Sequence, residues 1–134
     1  MLLSELINGL EVVYRKGNMD VEISGIAYDS RKARPGYLFV CIDGTKTDGH
    51  KFIPGALENG AVALLTEKDV DVQRSDIAIV KTLSTRYGLA HVSDAFYGHP
   101  SGSMNIIGVT GTKGKTTITY MIKSILECAG EKVG

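Results

Sequence analysis

The segment at residues 108–117, GVTGTKGKTT, most constrains the fold of this chain of 134 residues. It stands between an apolar run, MNIIGVT, and a segment of helical periodicity. A strand, a glycine-rich turn and a helix in this order bind phosphate, because backbone N–H groups of the turn and the positive helix N-terminus face the anion. The segment therefore predicts a nucleotide-binding strand–loop–helix unit.

Individual residues of this loop have distinct expected roles. Lys115 is expected to reach the β- and γ-phosphates and is the candidate catalytic residue, while the Thr116 hydroxyl is the candidate Mg²⁺ ligand. Glycine is needed at positions 111 and 114, where a side chain would block the phosphates. The candidate phosphate-binding residues are Gly111, Thr112, Lys113, Gly114, Lys115, Thr116 and Thr117.

Short apolar runs alternate with helical patterns along the preceding hundred residues. The predicted helices are LLSELINGL, KFIPGALENG and LSTRYGLAHVSDAFYG, and the predicted strands are VEISGIAYDS, YLFVCI, AVALLTE and IAIVK. This alternation predicts the α/β class. The segment HPSGS reads as a linker, which predicts a domain at residues 1–100 and the start of a second at 101–134. After Lys115, an apolar stripe predicts a helix: Ile118, Met121, Ile122, Ile125, Leu126 and Ala129.

The composition excludes several classes of partner and site. The formal net charge is zero and 43% of residues are hydrophobic, which gives no reason to expect nucleic acid or a membrane surface as partner. No signal peptide is recognisable. Cys41 and Cys128 are expected to be two buried thiols rather than a disulfide, which suits the cytoplasm. The three histidines lack the spacing of a zinc site.

The glycine-rich loop departs from the general P-loop pattern. The first glycine of G-x-x-x-x-G-K-[ST] should stand at position 109, which is Val109, and Gly108 comes one place early. TGTKGKTT instead resembles the variant loop of the Mur ligases, the folylpolyglutamate synthetases and the cyanophycin synthetases. That resemblance implies an enzyme that uses ATP and Mg²⁺ to convert a carboxylate into an acyl phosphate, which an amine then attacks.

The first hundred residues narrow the resemblance to one branch. The segment YDSRKARPGYLFVCIDGTKTDGHKFIPGALENGAVALL is similar to the substrate-nucleotide domain of the MurE branch of the Mur ligases, and YGHPSGSMNIIGVTGTKGKTT is similar to its junction with the ATPase domain. The resemblance implies that this domain holds the UDP end of UDP-N-acetylmuramoyl-L-alanyl-D-glutamate. The implied UDP-contacting residues are Ser30, Arg31, Thr45, Lys46 and Thr47.

Structural roles compete with these binding roles. Asp29 and Arg31 can pair with each other to fix a turn, and the segment Asp48-Gly49-His50 is favoured as a turn and helix-capping device over a set of ligands. Tyr28 is suited either to stacking on a base or to the core.

The resemblance implies a fragment of a ligase that adds diaminopimelate or lysine as the third residue of the muropeptide in peptidoglycan synthesis. Alone, the 134 residues are expected not to ligate, because the rest of the ATPase site and the amino-acid-binding domain are missing from them. Two alternatives stay open: a UDP-sugar-binding module, and a small assembly protein in which the C-terminal unit mediates self-association.

Overall fold

The computed structural model describes every residue except position 46, and it divides into two compact units, Met1–Gly102 and Ser103–Gly134. Each unit is described by itself. In the described part of the chain, no helix is long and apolar enough to cross a bilayer.

The first unit is built on a five-stranded sheet, which confirms the predicted α/β class. The strands are β1 (Val12–Lys16), β2 (Gly25–Ala27), β3 (Tyr37–Val40), β4 (Ala63–Thr66) and β5 (Ala78–Thr82), in the order β1-β5-β4-β3-β2. Strands β2 to β5 are parallel, and β1 runs antiparallel to β5 at the edge. The three runs that form β3, β4 and β5 are almost fully buried, as expected of strands covered on both faces.

Helices cover both faces of this sheet. The first unit contains α1 (Leu3–Leu6), α2 (Ile53–Glu58) and α3 (Thr85–Phe96). One core cluster joins α1 and α3 to a face of the sheet through Leu3, Val92 and Leu65. The other joins α2 to the opposite face through Ala56 and Phe39. The loops that follow the strands therefore leave a sheet that is packed on both faces.

Two parts of the first unit differ from the sequence-based prediction. Strand β1 was missed because four of its five residues are exposed, so it carries no alternating pattern. The predicted strand VEISGIAYDS is reduced to Gly25–Ala27. Its earlier residues bond to the N-terminal segment instead, since the Leu3 amide donates to the Val21 carbonyl (3.0 Å) and the Ile23 amide to the Met1 carbonyl (2.8 Å).

The second unit contains helix α4 (Lys115–Cys128), which confirms the predicted helix after the glycine-rich loop. The predicted strand MNIIGVT does not form, because the described residues of this unit include no second strand to pair with it. Four residues of the apolar stripe are exposed: Ile118, Met121, Ile125 and Ala129. Helix α4 has no buried residue, so the prediction of a buried Cys128 was wrong, whereas Cys41 is buried as predicted.

Candidate functional site

The glycine-rich loop has the backbone geometry of an anion-binding turn. Gly111 and Gly114 have φ angles of 149° and 78°, which disfavour residues with a side chain. Gly114 is also the N-cap of α4 and therefore gives the helix no side-chain cap. The first amides of a helix have no partner within the helix, so the first turn of α4 presents N–H donors and a positive dipole end.

Space beside the loop is open where phosphates would approach. A Cβ placed on Gly114 would meet nothing within 4 Å, and one on Gly111 would meet only the Lys113 carbonyl oxygen at 3.7 Å. Every residue from position 111 to 117 is exposed. The loop is therefore open to solvent beside both glycines.

The Lys115 side chain folds back across this loop. Its Nζ donates a hydrogen bond to the Gly111 carbonyl oxygen at 2.6 Å. This contact holds the ammonium group beside the turn that carries the N–H donors. A positive charge in that position can stabilise the negative charge that builds on transferred phosphoryl oxygens.

Thr116 suits Mg²⁺ in its position and chemistry. It is the second residue of α4, and a hydroxyl is among the oxygen ligands that Mg²⁺ accepts. No cluster of three His, Cys, Asp or Glu side chains able to hold a metal occurs among the residues that the structure describes. Mg²⁺ commonly keeps water and nucleotide oxygens as its other ligands, so a single threonine is a fitting contribution.

The candidate UDP residues follow two neighbouring strands at one edge of the sheet. Strands β2 and β3 are parallel, with Ala27 opposite Phe39, so the segments after both strands begin at the same edge. Ser30 and Arg31 follow β2, and Thr45 and Thr47 follow β3. Ligands of open parallel sheets bind at this carboxyl edge. Lys46, the fifth candidate, lies outside the described residues.

Arg31 pairs with Asp29, which is the turn-fixing role that the sequence analysis set against a binding role. Arg31 Nε and Nη2 donate to Asp29 Oδ1 and Oδ2 at 3.0 and 2.8 Å, and the Arg31 amide donates to Asp29 Oδ1 at 3.1 Å. The Arg31 hydrogen bonds lower the pKa of Asp29 to about 2. The charge of the arginine is therefore compensated by Asp29. Ser30 is the first residue of the short 3-10 turn Ser30–Lys32, which Asp29 caps.

Ser30 is held in place through its backbone. Its carbonyl oxygen accepts a hydrogen bond of 2.8 Å from Asn59 Nδ2, which ties the turn after β2 to the end of α2. A Cβ on Gly55 would come to 3.9 Å from Ser30 Oγ, so the hydroxyl lies near α2 without contacting a side chain at that position. Tyr28, 64% exposed, is not a core residue.

Asp48 closes the segment that follows β3. We call residues 43–48 the nucleotide loop. Asp48 Oδ1 accepts from the His50 amide at 2.9 Å and caps a 3-10 turn, so the capping role predicted for Asp48-Gly49-His50 is confirmed. The Gly44 amide donates to the Thr47 carbonyl oxygen at 3.1 Å. Thr45 and Thr47 are exposed at the tip, where a ligand can reach them.

Sequence reasoning missed Lys68, which follows β4 at the same edge. Its Nζ lies 2.8 Å from Asp43 Oδ2 and 2.6 Å from Asp48 Oδ2. The hydrogen bonds that Lys68 donates to Asp43 and then to Asp48 raise the pKa of Lys68, and the bond from Lys68 is the main cause of the lowered pKa of Asp48. The available signal was positional, because Glu67 and Lys68 come directly after a buried parallel strand.

Comparison with protein families matches residues 22–97 to "Mur ligase family, catalytic domain", more than half of the chain. The chain is 51% identical over 132 residues to the UDP-N-acetylmuramoyl-L-alanyl-D-glutamate--2,6-diaminopimelate ligase of Syntrophomonas wolfei, covering 98% of this chain and 27% of that protein. It is 45% identical over 134 residues to the ligase of the same name from Clostridioides difficile, covering 100% of this chain and 27% of that protein. The chain thus spans about a quarter of these relatives.

Solved structures show the same fold. Crystal structure I of MurF from Acinetobacter baumannii matches with a TM-score of 0.73 and 27% identity, over 94% of this chain and 27% of that one. MurF from Thermotoga maritima, in complex with ADP, matches with a TM-score of 0.58 and 30% identity, over 80% of this chain and 23% of that one.

Proposed function

Because the chain belongs to the Mur ligase family, we propose that it is the N-terminal part of an ATP-dependent ligase of the MurE branch. The ligase joins an amino acid to the D-glutamate carboxyl of UDP-N-acetylmuramoyl-L-alanyl-D-glutamate in peptidoglycan synthesis, in the cytoplasm. The names of the similar ligases favour 2,6-diaminopimelate over lysine as that amino acid.

One observation carries the ATP-dependent part of this proposal. Lys115, the first residue of α4, crosses the glycine-rich loop to the Gly111 carbonyl oxygen at 2.6 Å, and the N-cap of that helix has no side chain. In the proposed enzyme Lys115 balances charge on the β- and γ-phosphates, Thr116 supplies one oxygen to Mg²⁺, and the loop amides hold the phosphate oxygens.

ATP supplies the phosphoryl group that activates the substrate carboxylate as an acyl phosphate. The amine of the incoming amino acid then attacks the acyl carbon, and inorganic phosphate leaves as the amide bond forms. In this reaction the residues of the present chain bind ATP and the UDP part of the substrate. The UDP part of the substrate is contacted by Ser30, Thr45, Lys46 and Thr47, with Arg31 beside them.

A segment exchange tests the proposal. The part of the C. difficile ligase that aligns with this chain is replaced by residues 1–134, and the chimera is assayed with ATP, Mg²⁺, UDP-N-acetylmuramoyl-L-alanyl-D-glutamate and diaminopimelate. We expect tripeptide product and ADP in equal amounts. The 134 residues alone are expected to release no phosphate above the level of Lys115→Ala. Phosphate release by the short chain alone would contradict the expectation that catalysis also needs the rest of the ATPase site and the amino-acid-binding domain.

A second candidate function, a UDP-sugar-binding module, is favoured by the first unit having its own two-sided core. Titration of residues 1–102 with UDP distinguishes it. UDP binding together with an inactive chimera would support the module. The third candidate, an assembly protein, predicts that light scattering gives a larger mass for the full chain than for residues 1–102.

A further inference from the structure

The nucleotide loop is braced at both of its ends by one lysine. Lys68 Nζ contacts Asp43 Oδ2 (2.8 Å) at the start of the loop and Asp48 Oδ2 (2.6 Å) at its end. Asp43 and Asp48 also form a bridge of antiparallel strand type. The side chain of Lys68 therefore closes the loop across its base, and its charge is compensated by two carboxylates. This makes Lys68 a brace for the loop rather than a phosphate ligand.

His50 joins the same loop base to the end of β4. Its Nδ1 lies 2.6 Å from Asp48 Oδ1, and its Nε2 lies 3.1 Å from the Glu67 amide nitrogen. An amide can only donate, so Nε2 is the acceptor and the proton of the neutral ring resides on Nδ1, which donates to Asp48. The side chain is only 9% exposed. His50 thus acts as a two-ended link between the loop and the sheet.

The sheet end to which His50 is linked is itself held by helix α3. Glu67 Oε1 accepts from the Thr85 amide at 2.6 Å, and it lies 2.9 Å from Thr85 Oγ1. Thr85 is fully buried. Arg86 Nη2, on the same helix, donates to the Asp43 carbonyl oxygen at 3.4 Å. The 3-10 turn that carries His50, the segment after β4 and helix α3 therefore all contact the base of the nucleotide loop.

We propose that His50 and Lys68 are positioning residues that preorganise the nucleotide loop for the uracil and ribose of the substrate. The inference rests on the proposed function, in which Thr45 and Thr47 contact the UDP end. A loop whose two ends are fixed in the free protein loses less conformational freedom when the nucleotide binds, so bracing raises affinity without touching the ligand. Neither side chain contacts UDP in this account.

The test compares variants of the 134-residue chain by calorimetric titration with UDP. His50→Leu removes both ends of the link, whereas His50→Gln retains an acceptor for the Glu67 amide. Lys68→Met leaves Asp43 and Asp48 without their shared cation. We expect UDP affinity to fall about tenfold or more in His50→Leu and Lys68→Met, and less in His50→Gln, because preorganisation of several residues is lost.

Matched controls come from two ion pairs elsewhere in the chain. His99→Leu removes a His–Asp pair of the same 2.6 Å length, to Asp94, and Lys81→Met removes a pair of 2.7 Å to Asp69. Neither pair involves the nucleotide loop, so both controls should bind UDP as the parent chain does. Equal affinity in His50→Leu, Lys68→Met and the parent would overturn the inference.

Amide hydrogen exchange separates the bracing of the loop from the UDP assignment. In His50→Leu, the Gly44 and Gly49 amides should exchange faster, while the Leu64 amide in β4 keeps the protection that it has in the parent chain. A uniform loss of protection would make His50 a residue of general stability and overturn the inference. A parent chain that binds no UDP would contradict the proposed function, and selective loss of loop protection would then still support the bracing.

Discussion

Lys115 and Gly111 are joined by a 2.6 Å hydrogen bond from the lysine Nζ to the glycine carbonyl oxygen. The bond connects the first residue of α4 with the start of the turn that precedes it, so the cation lies beside the turn. The positive φ angles of Gly111 and Gly114 make this turn possible. The phosphate-binding assignment depends on this relationship more than on any other in the second unit.

Lys115→Ala in the chimera should lower kcat by about 10²–10³-fold, the loss typical of removing one charge-stabilising donor from a reaction site. Steady-state measurement of ADP release gives the value. Lys123→Ala is the control, because Lys123 lies on the same helix and forms an exposed pair with Glu127 at 3.7 Å. Equal kcat values for the two variants would show that Lys115 has no role in phosphoryl transfer.

The stability of the first unit should fall in acid because of Asp29 and Asp48. The pKa of Asp29 is about 2 in the folded chain, against about 3.9 when unfolded, and that of Asp48 is also lowered. Both carboxylates therefore contribute stability above about pH 5, and this is lost as pH falls from about 4 through the folded pKa values. Urea unfolding between pH 6 and 2.5 measures it.

Asp48→Asn should flatten this acid dependence, because the amide cannot titrate. Asp71→Asn is a suitable comparison, since Asp71 is exposed and its recorded side-chain hydrogen bond is with the neutral Gln73. An Asp48→Asn chain that retains the full acid dependence of the parent would contradict the assignment of part of the effect to Asp48.

Gly60→Ala should destabilise the first unit more than Gly98→Ala. Both glycines have positive φ angles, 96° and 74°, so both substitutions carry the left-handed penalty of roughly 1–2 kcal/mol. Only at Gly60 would the added Cβ also collide with a backbone atom, Pro35 Cα at 2.8 Å. The midpoints of urea unfolding compare them, and equal midpoints would contradict the close packing of Gly60 on Pro35.

The two cysteines should differ in reactivity. Burial raises the pKa of the Cys41 thiol to about 12, whereas Cys128 is exposed on α4. Since the thiolate is the reactive species, an alkylating reagent at neutral pH should modify one thiol in the native chain and two in urea. Mass spectrometry of Cys128→Ser, which should remain unmodified when native, identifies the site.

Three strands and the last helix were predictable from the sequence. β3, β4 and β5 read as apolar runs because both faces are covered, and α4 follows from the spacing of its apolar stripe. β1 was missed because its exposure removes any pattern. The strand expected at MNIIGVT was wrong because hydrogen-bonding partners, not apolar residues, make a strand.

The candidate site was predictable only in part, for a related reason. The glycine-rich loop is continuous in sequence, so its residues could be assigned together. The residues that brace the nucleotide loop are not continuous in sequence, because the contacts of Lys68 with Asp48 and of Thr85 with Glu67 form only after three elements fold onto one sheet edge. The segment TEKDVDVQRSD carries charges of both signs, and no local spacing singles out Lys68.

The most direct test of the account is product formation by the chimera that carries residues 1–134. The account predicts that it converts UDP-N-acetylmuramoyl-L-alanyl-D-glutamate and diaminopimelate to the tripeptide, with one ADP for each product, and that Lys115→Ala abolishes most of this turnover. A chimera that is folded by circular dichroism and binds UDP, yet forms no more product than its Lys115→Ala variant, would contradict it.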